Sequence, residues 1–420
     1  MKDNKEYFQD IILKDYIDII TDYHSNGAYQ KLKENVTLKY EEDYAIMVRT
    51  LNFEANNFDS NLIYINEEEY NFLSKSKVYE DDILMNKIAN AGSVYIMPKN
   101  NKPTSLAMNL FLIRFNDLLN QRYMYYLMKT NESYIKNFAN GTSTLTITKE
   151  SVKNLKFQVP SLLIQEKIAS ILSNLDKKIE LNNQINQKLE AMSKTLYDYW
   201  FVQFDFPDAD GKLYKSSGGK MVYSEELKRE IPEGWEVNSL WNIANYFNGL
   251  AMQKHRPTTK EFLRVIKIKE MNEGFSDKTE HAKIDINEKA IVNNGDILFS
   301  WSATLDVKIW TQGIGALNQH IFKVTSQKYP KTFFYFELLN YLQHFKMMAE
   351  KRKTTMGHIT QEHLKQSRIV IPPNDLIKIL DKKLKPMLDK KVLLEVENQK
   401  LTQLRDWLLP MLMNGQVGIK

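Results

Sequence analysis

The sequence contains no cysteine among its 420 residues. This absence excludes disulfides and thiolate metal sites, and it agrees with the reducing environment of the cytosol. Hydrophobic runs are also short, since none approaches the ~18 residues that a membrane span requires. The first ten residues, MKDNKEYFQD, mix both signs of charge and have no apolar core, so they do not form a secretory signal. We therefore expect a cytoplasmic protein with no membrane partner.

Catalytic motifs are missing as well. The chain has no G-x-G-x-x-G, and its SSGGKM segment lacks the first glycine and the Ser or Thr of a phosphate-binding loop. The seven histidines show no metal-ligand spacing. A loose nuclease-like match, Pro207-Asp208 followed by Glu226 and Lys228, lies in a segment typical of a connector, so chance is the favoured explanation. We predict a binding protein with no catalytic residue, metal site or cofactor of its own.

Composition allows a folded protein that binds nucleic acid. The hydrophobic fraction of 43% is normal for a folded chain, and 420 residues allow two or three domains with separate cores. The net charge of +5 makes the chain mildly basic. Such a balance permits nucleic-acid binding without requiring it.

The chain contains an internal repeat. The phrase ITKESVKNLKFQVP (147–160) recurs as ITQEHLKQSRIVIP (359–372), at an offset of 212 residues. Upstream, DDILMN (81–86) corresponds to GDILFS (295–300). Similar segments that recur in the same order predict a duplicated structural unit.

Two further features recur in the same order. AMNLFLIRF corresponds to ALNQHIFKV, with Asn109 matched to Asn318. An Asn-Gly dipeptide, Asn26-Gly27 in one half and Asn248-Gly249 in the other, lies near the front of each unit and indicates a turn between strands. Short runs rich in Ile, Val, Phe, Tyr and Thr are bounded by Gly, Asn and Pro, which predicts small α+β domains.

Each copy of the phrase ends in proline and opens a long amphipathic helix. Polar Lys178 and Asn182 interrupt the apolar stripe of the first helix and are expected to help fix register. Pro386 should kink the second helix or displace its start. Two matched stripes predict that the helices pack against each other. The predicted stripes are Ile164, Ile168, Ile171, Leu175, Ile185, Leu189, Met192 and Leu196, and Leu376, Leu380, Met387, Leu394, Leu401, Leu404 and Leu408.

Both halves place polar, basic loops at corresponding positions. Lys and Arg in such loops can neutralise phosphates, while Gln, Asn, Arg and His can read base edges. For any single loop, an ordinary solvated surface is an equally good explanation. The candidate DNA-binding residues are Lys31, Lys33, Arg49, Lys87, Ser143, Thr144, Gln253, Lys254, His255, Arg256, Lys267, Trp301, Lys351, Arg352, Lys353 and His358.

These segments resemble those of the specificity subunit of type I restriction–modification enzymes. The resemblance is carried by GDILFSWSATLDVKIW, GALNQHIFKV, DFPDADGKLYKSSGGKMVYSEELKREIPEGWEV and the two phrases that end in proline. It covers almost the whole chain and is weakest over the first eighty or so residues, where no clear counterpart of GWEVNSLWNIA is found.

The resemblance implies a fold and a function. The fold would be α+β, with two similar target-recognition domains separated by two long antiparallel coiled-coil helices related by a pseudo-two-fold repeat. Each domain would read one half of a bipartite, asymmetric site in double-stranded DNA. Two methyltransferase subunits and the restriction–translocase subunits would be partners, and S-adenosylmethionine, ATP and Mg would belong to them. The expected segments are 1–160 for the first recognition domain, 161–200 for the first spacer helix, 201–230 for a connector, 231–372 for the second recognition domain and 373–412 for the second spacer helix.

Helix length fits that implication. A helix of about 35 residues is about 50 Å long, which corresponds to about 15 base pairs. Helix length is then expected to set the gap between the half-sites. Two other functions remain open at this point: a coiled-coil scaffold with protein-binding domains, and a fragment of a single-chain restriction enzyme.

Overall fold

The computed structural model describes residues 8–351 and 358–417. The chain divides into two compact units, each treated separately below. Unit 1 contains the residues up to Lys177 together with those from Thr402 onward, and unit 2 contains Lys178–Leu401.

Unit 1 carries an α+β domain with two four-stranded sheets and a separate strand pair. The sheets have the orders β2-β9-β6-β7 and β4-β3-β8-β5, and β1 pairs with β10. The strands are β1 Phe8–Ile12, β2 Ile17–Asp22, β3 Ala45–Val48, β4 Tyr64–Ile65, β5 Lys77–Val78, β6 Ile83–Asn86, β7 Val94–Ile96, β8 Thr104–Leu106, β9 Leu110–Phe115 and β10 Lys156–Pro160. The helices are α1 Tyr29–Asn35, α2 Thr50–Glu54, α3 Glu67–Phe72, α4 Gln121–Thr130, α5 Glu132–Lys136 and α6 Lys149–Lys153, and they are followed by the long α7, Leu162–Phe201.

Unit 2 repeats this architecture after a short hairpin. Its sheets have the orders β14-β21-β18-β19 and β16-β15-β20-β17, β13 pairs with β22, and β11 pairs with β12. The strands are β11 Met221–Ser224, β12 Arg229–Pro232, β13 Glu236–Ser239, β14 Asn245–Asn248, β15 Leu263–Ile266, β16 His281–Ala282, β17 Ile291–Val292, β18 Ile297–Ser300, β19 Asp306–Ile309, β20 Gly315–Leu317, β21 Ile321–Thr325 and β22 Arg368–Ile371. The helices are α8 Leu240–Ile243, α9 Ile268–Glu273, α10 Lys331–Lys351, α11 Gln361–Gln366 and the long α12, Asn374–Met413.

The two domains have the same strand order throughout. Ten strands of one domain correspond one by one to ten of the other, and the central pairs β3–β8 and β15–β20 are both parallel, whereas the remaining pairs within these domains are antiparallel. The predicted internal repeat and the α+β fold class are confirmed. The repeat persists in backbone hydrogen bonding even where the side chains differ.

Strand pairing corrects the predicted alignment at β9 and β21. Asn86 lies opposite Leu110, and its counterpart Ser300 lies opposite Ile321. Asn109 therefore corresponds to His320, two residues away from the predicted partner Asn318. Apolar residues in strands recur without a distinctive order, so similar letters were matched in the wrong register.

The first domain does have a counterpart of the GWEVNSLWNIA segment. β1 pairs with β10 as β13 pairs with β22. Leu13 N–H donates to the Leu155 carbonyl, as Leu240 N–H donates to the Ser367 carbonyl. Sequence comparison missed this match because backbone groups make the contacts and little side-chain identity is retained.

The two Asn-Gly dipeptides are not equivalent. Asn248 ends β14 opposite Phe322, and the residue at the same place in the first domain is Asp22, opposite Phe111. A Cβ on Gly249 would lie 2.2 Å from the Asn318 carbonyl oxygen, so close backbone approach requires glycine there.

The long helices α7 and α12 pack against each other in antiparallel order. In unit 2, Asn182 Nδ2 donates to Asn398 Oδ1 at 2.8 Å, and Lys391 Nζ donates to Glu190 Oε2 at 2.9 Å. In unit 1, Arg405 Nη1 donates to Asp176 Oδ1 at 2.9 Å. Residue numbers rise along α7 as they fall along α12, which is the antiparallel arrangement.

The buried stripe of α7 differs in part from the predicted one. Ile171 and Met192 are 37% and 57% exposed, while their neighbours Leu172 and Ser193 are buried. A helix of 3.6 residues per turn drifts by about 20° per heptad from a strict seven-residue pattern, so the stripe moves to the next residue. Asn182, by contrast, is fully buried in the stripe as expected.

Pro386 lies inside α12, which begins at Asn374. This proline therefore does not displace the helix start, and the alternative outcome, a kink at Pro386, stays a prediction. The residues before Pro386 bury Leu380 and Leu384, and this packing supports the first turns of the helix.

Candidate nucleic-acid interface

A cluster of charged side chains lies at one corner of the first domain, where β2 and β6 end. We call Asp22, Lys87, Phe111 and Lys149 corner 1. Lys87 Nζ donates to Asp22 Oδ2 at 2.7 Å, and Lys149 Nζ donates to Asp22 Oδ1 at 3.1 Å. Both ammonium groups lie over the Phe111 ring, at 5.2 and 6.0 Å from its centroid. Corner 1 thus holds two cations around one carboxylate on an aromatic base.

The net charge of corner 1 depends on the protonation state of Asp22. Burial by itself would raise the pKa of Asp22, but hydrogen bonds from Lys87, Ser25 and Lys149 outweigh burial and lower the pKa to about 2. Asp22 is therefore ionised at any physiological pH. Two ammonium groups and one carboxylate leave one surplus positive charge.

The corresponding corner of the second domain has different chemistry. We call Asn248, Trp301, His320, Phe322 and His358 corner 2. Trp301 Nε1 donates to Asn248 Oδ1 at 3.0 Å. The Trp301 ring lies 5.7 Å from His320, 5.8 Å from Phe322 and 5.6 Å from His358, measured between centroids. Corner 2 is an aromatic and imidazole surface without a Lys, Arg, Asp or Glu among its members.

The two corners share one backbone frame. Lys87 N–H donates to the Asn109 carbonyl at 2.8 Å, and Trp301 N–H donates to the His320 carbonyl at 3.4 Å. The carbonyls of Lys87 and Trp301 accept from the first N–H of each repeated phrase, at 3.0 and 2.9 Å respectively. Lys87 and Trp301 therefore occupy equivalent positions, and a backbone hydrogen bond joins each of them to the repeated phrase.

A strained residue lies beside each corner. Ala89 has φ of 65° and Ala303 has φ of 56°, each two residues after the equivalent Lys87 and Trp301. Non-glycine residues in the left-handed region cost roughly 1 kcal/mol or more and occur often at functional sites. Strain kept at the same place in both domains marks these turns as candidate contact loops.

The other candidates of the first domain lie in three places. Lys31 and Lys33 are exposed on α1, where Lys31 Nζ lies 5.7 Å from the Phe72 ring centroid. Arg49 precedes α2, and its Nη2 donates to the Asn61 carbonyl at 2.7 Å. Ser143 and Thr144 are exposed in the loop that leads to the repeated phrase.

The candidates of the second domain are distributed similarly. Gln253, Lys254 and Arg256 are exposed after β14, and Nδ1 of the half-buried His255 has no hydrogen-bond partner among the described residues. Lys267 is in an ion pair with Glu280. Lys351 is the last residue of α10; its side chain, together with Arg352 and Lys353, lies outside the described residues.

Sequence reasoning missed Asp22, Asn248, His320 and Lys149 as members of these corners. Lys149 and His320 both lay within segments recognised as repeated, so the repeat itself was an available signal. Asp22 offered none, because it meets Lys87 only through the pairing of distant strands. The nuclease-like match has structural contacts: Asp208 accepts backbone N–H bonds in a turn, and Glu226 pairs with Arg368 at 3.4 Å.

Neither a metal site nor a membrane span is found in the described part of the chain. In residues 8–351 and 358–417, no group of three or more His, Asp or Glu side chains is arranged to hold a metal ion. Among the same residues, no helix combines the length and apolarity that crossing a membrane requires.

Comparison with known proteins identifies the repeated domain. The family model described as "Type I restriction modification DNA specificity domain" matches residues 11–191 and again 232–404. A crystal structure of the type I restriction–modification system S subunit from M. genitalium aligns over 98% of both chains with a TM-score of 0.61, at 15% identity. That likeness shows the fold.

Curated relatives agree with the family match. The chain is 26% identical to the type I restriction enzyme MjaIX specificity subunit of Methanocaldococcus jannaschii, over 71% of this chain and 69% of that protein. It is 25% identical to the type I restriction enzyme HindI specificity subunit of Haemophilus influenzae, over 82% of this chain and 88% of that protein. With two matched copies covering most of its length, the chain belongs to the type I restriction–modification DNA specificity family.

Proposed function

We propose that this chain is the non-catalytic DNA-binding subunit of a type I restriction–modification complex and recognises a bipartite, asymmetric target. The observation that carries the proposal is the duplication of one recognition fold, strand for strand, in a single chain. The family is named for DNA specificity, and two copies of its recognition domain in one chain suit a target with two half-sites.

The difference between the two corners supports an asymmetric target. Equivalent backbone frames carry a lysine–aspartate cluster in one domain and a tryptophan–histidine cluster in the other. Recognition surfaces with such different side chains make different contacts with DNA, so the two half-sites should differ.

Partner subunits would supply the chemistry. Two methyltransferase subunits would bind S-adenosylmethionine, and restriction–translocase subunits would use ATP and Mg. This chain would direct both to the target. Because the substrate is duplex DNA of the cell, the complex would act in the cytoplasm.

The deciding experiment copurifies the chain with its cognate methyltransferase subunit, exposes random-sequence DNA to the complex with S-adenosylmethionine, and maps the methylated adenines. The expected result is a two-part motif with a constant gap. The methyltransferase alone serves as the control and should give no such motif.

A continuous motif would mean that one domain reads DNA alone and would contradict the bipartite proposal. No methylation together with DNA binding insensitive to salt would favour the protein-binding scaffold, because phosphate contacts necessarily release counterions.

Helix length offers a second test of the same proposal. Adding one helical turn, four residues, to the middle of α7 lengthens it by about 5 to 6 Å, or one to two base-pair steps. The gap of the mapped motif should then grow by about one to two base pairs while both half-sites stay the same. An unchanged gap would contradict a role of helix length in spacing.

A further inference from the structure

We infer, building on the proposed function, that corner 2 contacts base edges through Trp301 and its two histidines, whereas corner 1 contacts a DNA phosphate through Lys149. The corners would thus be equivalent in the fold and different in what they contribute: sequence preference in one half-site, salt-sensitive affinity in the other.

Exposure separates the two lysines of corner 1. The side chain of Lys87 is 14% exposed and that of Lys149 is 37% exposed. Lys87 also donates to the Met108 carbonyl at 3.1 Å, which holds it in the domain. Lys149 is therefore the ammonium group within reach of a ligand, and Ser25 Oγ at 2.9 Å helps to orient it.

The ligand of corner 1 is an anion. Both lysines share the single carboxylate of Asp22, and Lys149 is the more exposed of the two, so the surplus positive charge of the cluster is accessible at Lys149. Duplex DNA presents one phosphate charge per ~1.7 Å of helix axis, and lysine binds such phosphates as a point charge. A contact of this kind adds affinity without reading sequence.

Corner 2 offers surfaces suited to bases. The indole N–H of Trp301 is occupied by Asn248, which fixes the ring in place. His320 and His358 are exposed beside it, and Gln319 Nε2 lies 3.4 Å from His320 Nε2. Imidazole and amide groups can donate to and accept from base edges, and an aromatic ring can contact the thymine methyl or stack.

Both corners have the features of contact sites rather than of ordinary surface. Each lies beside a turn with a strained alanine, and each is tied to the repeated phrase by a backbone hydrogen bond. The backbone around each corner is the same in both domains, but the charged cluster of one is replaced by an aromatic cluster in the other. A duplicated recognition domain with two different targets requires this combination.

The test uses the complex of the full chain with its methyltransferase subunit and three duplexes: the mapped target, and the target with either half-site scrambled. Binding is measured between 50 and 300 mM salt (a range of roughly six-fold) for each variant.

The variants are Trp301→Ala, Trp301→Phe and Lys149→Ala, with Tyr223→Ala and Lys153→Ala as matched controls. Tyr223 is 59% exposed on the β11–β12 hairpin, and Lys153 lies on α6 with Lys149.

Trp301→Ala should reduce the preference for one intact half-site by about 5- to 100-fold, and leave the slope of log affinity against log salt unchanged. Trp301→Phe should retain part of the preference because a ring remains. Lys149→Ala should weaken binding to all three duplexes alike and reduce the salt slope by about 1. The two controls should behave as the wild type does.

Failure of the inference can be distinguished from failure of the proposed function. If the wild-type complex methylates a two-part motif but Trp301→Ala keeps its preference for both half-sites, corner 2 does not read bases. If Lys149→Ala leaves the salt slope unchanged, corner 1 does not bind phosphate. If the wild type has no two-part motif, the proposed function itself is wrong. Far-ultraviolet circular dichroism of each variant checks folding, and Trp301→Phe tests corner 2 even if Trp301→Ala does not fold.

Discussion

The two recognition domains share their strand order but differ in the side chains of their two corners. Asp22 and Asn248 end equivalent strands, and they are contacted by Lys87 and Trp301, each of which directly follows an equivalent strand. One contact is an ion pair and the other is a neutral hydrogen bond. The comparison shows that backbone pairing holds the frame, so the contact residues can change without loss of the fold.

The hydrophobic cores of the two domains also use equivalent strand positions but fill them with different side chains. Met85 in β6 and Phe299 in β18 occupy equivalent, fully buried positions. The core of the second domain continues into a group of aromatic side chains from the end of α7, including Tyr197 and Phe201. One pattern of strands therefore accepts either flexible methionine or rigid aromatic packing, because volume and burial matter more than identity.

The largest expected effect tests the cores. Phe299→Ala should destabilise unit 2 by about 3 to 5 kcal/mol, because a fully buried ring is lost and a cavity remains. Its matched control, Met85→Ala, should destabilise unit 1 by about 2 to 5 kcal/mol. Hydrogen exchange followed by peptide mass spectrometry measures both. Equal loss of protection in both units for either variant would contradict separate cores.

The next largest effect on stability concerns Glu337, a buried carboxyl group in the core of the second domain. Tyr197 OH donates to Glu337 Oε1 at 2.6 Å, and burial raises the pKa of Glu337 to about 7. Between its ordinary value of 4.5 and about 7, the unfolded chain releases a proton that the folded chain keeps, so stability falls as pH rises. Glu337→Gln should therefore increase the free energy of unfolding at pH ~8 by about 3 kcal/mol, with little change at pH ~5. Denaturant unfolding across this pH range measures it, and a gain independent of pH would contradict the account.

The charged corner gives a pH dependence of opposite sign. The pKa of Asp22 falls from 3.8 to about 2 on folding, so its stabilising contribution is present above pH 4 and is lost as pH falls toward 2. Asp22→Asn should reduce stability at pH ~7 by about 2 kcal/mol, and the difference from wild type should shrink below pH ~4. The exposed Asp15→Asn is the control. A deficit that persists at pH ~2 would show that shape rather than charge is responsible.

The smallest effect compares the two long helices. Asn182 of α7 and Leu394 of α12 are separated by the repeat offset, and both are buried. Asn182 Oδ1 has no hydrogen-bond partner among the described residues, so Asn182→Leu should raise stability by about 1 kcal/mol. A buried polar residue can also specify helix register at a cost in stability. Thermal unfolding measures the first effect, and cross-linking between cysteines introduced at Glu190 and Lys391 reports register. A loss of stability would show that the bonds to Asn398 and Glu397 outweigh the unpaired oxygen.

Local sequence patterns were sufficient to predict part of the fold and part of the candidate interface. The repeated phrase, the two long helices and the candidate positions Lys87 and Trp301 were all visible in the sequence. The residues that complete the corners were not. Lys87 meets Asp22 across 65 residues, and only the pairing of β2 with β9 and of β9 with β6 brings them together.

The sequence by itself determined that there are two copies of one unit, each followed by a long amphipathic helix, because repeats and helical periodicity are properties of residue order alone. Tertiary structure decided the register of β9 and β21, the shift of the buried stripe from Ile171 to Leu172, and the partners of Lys87 and Trp301. Those features depend on which distant segments hydrogen-bond and which face meets the core, and burial over the whole domain settles both.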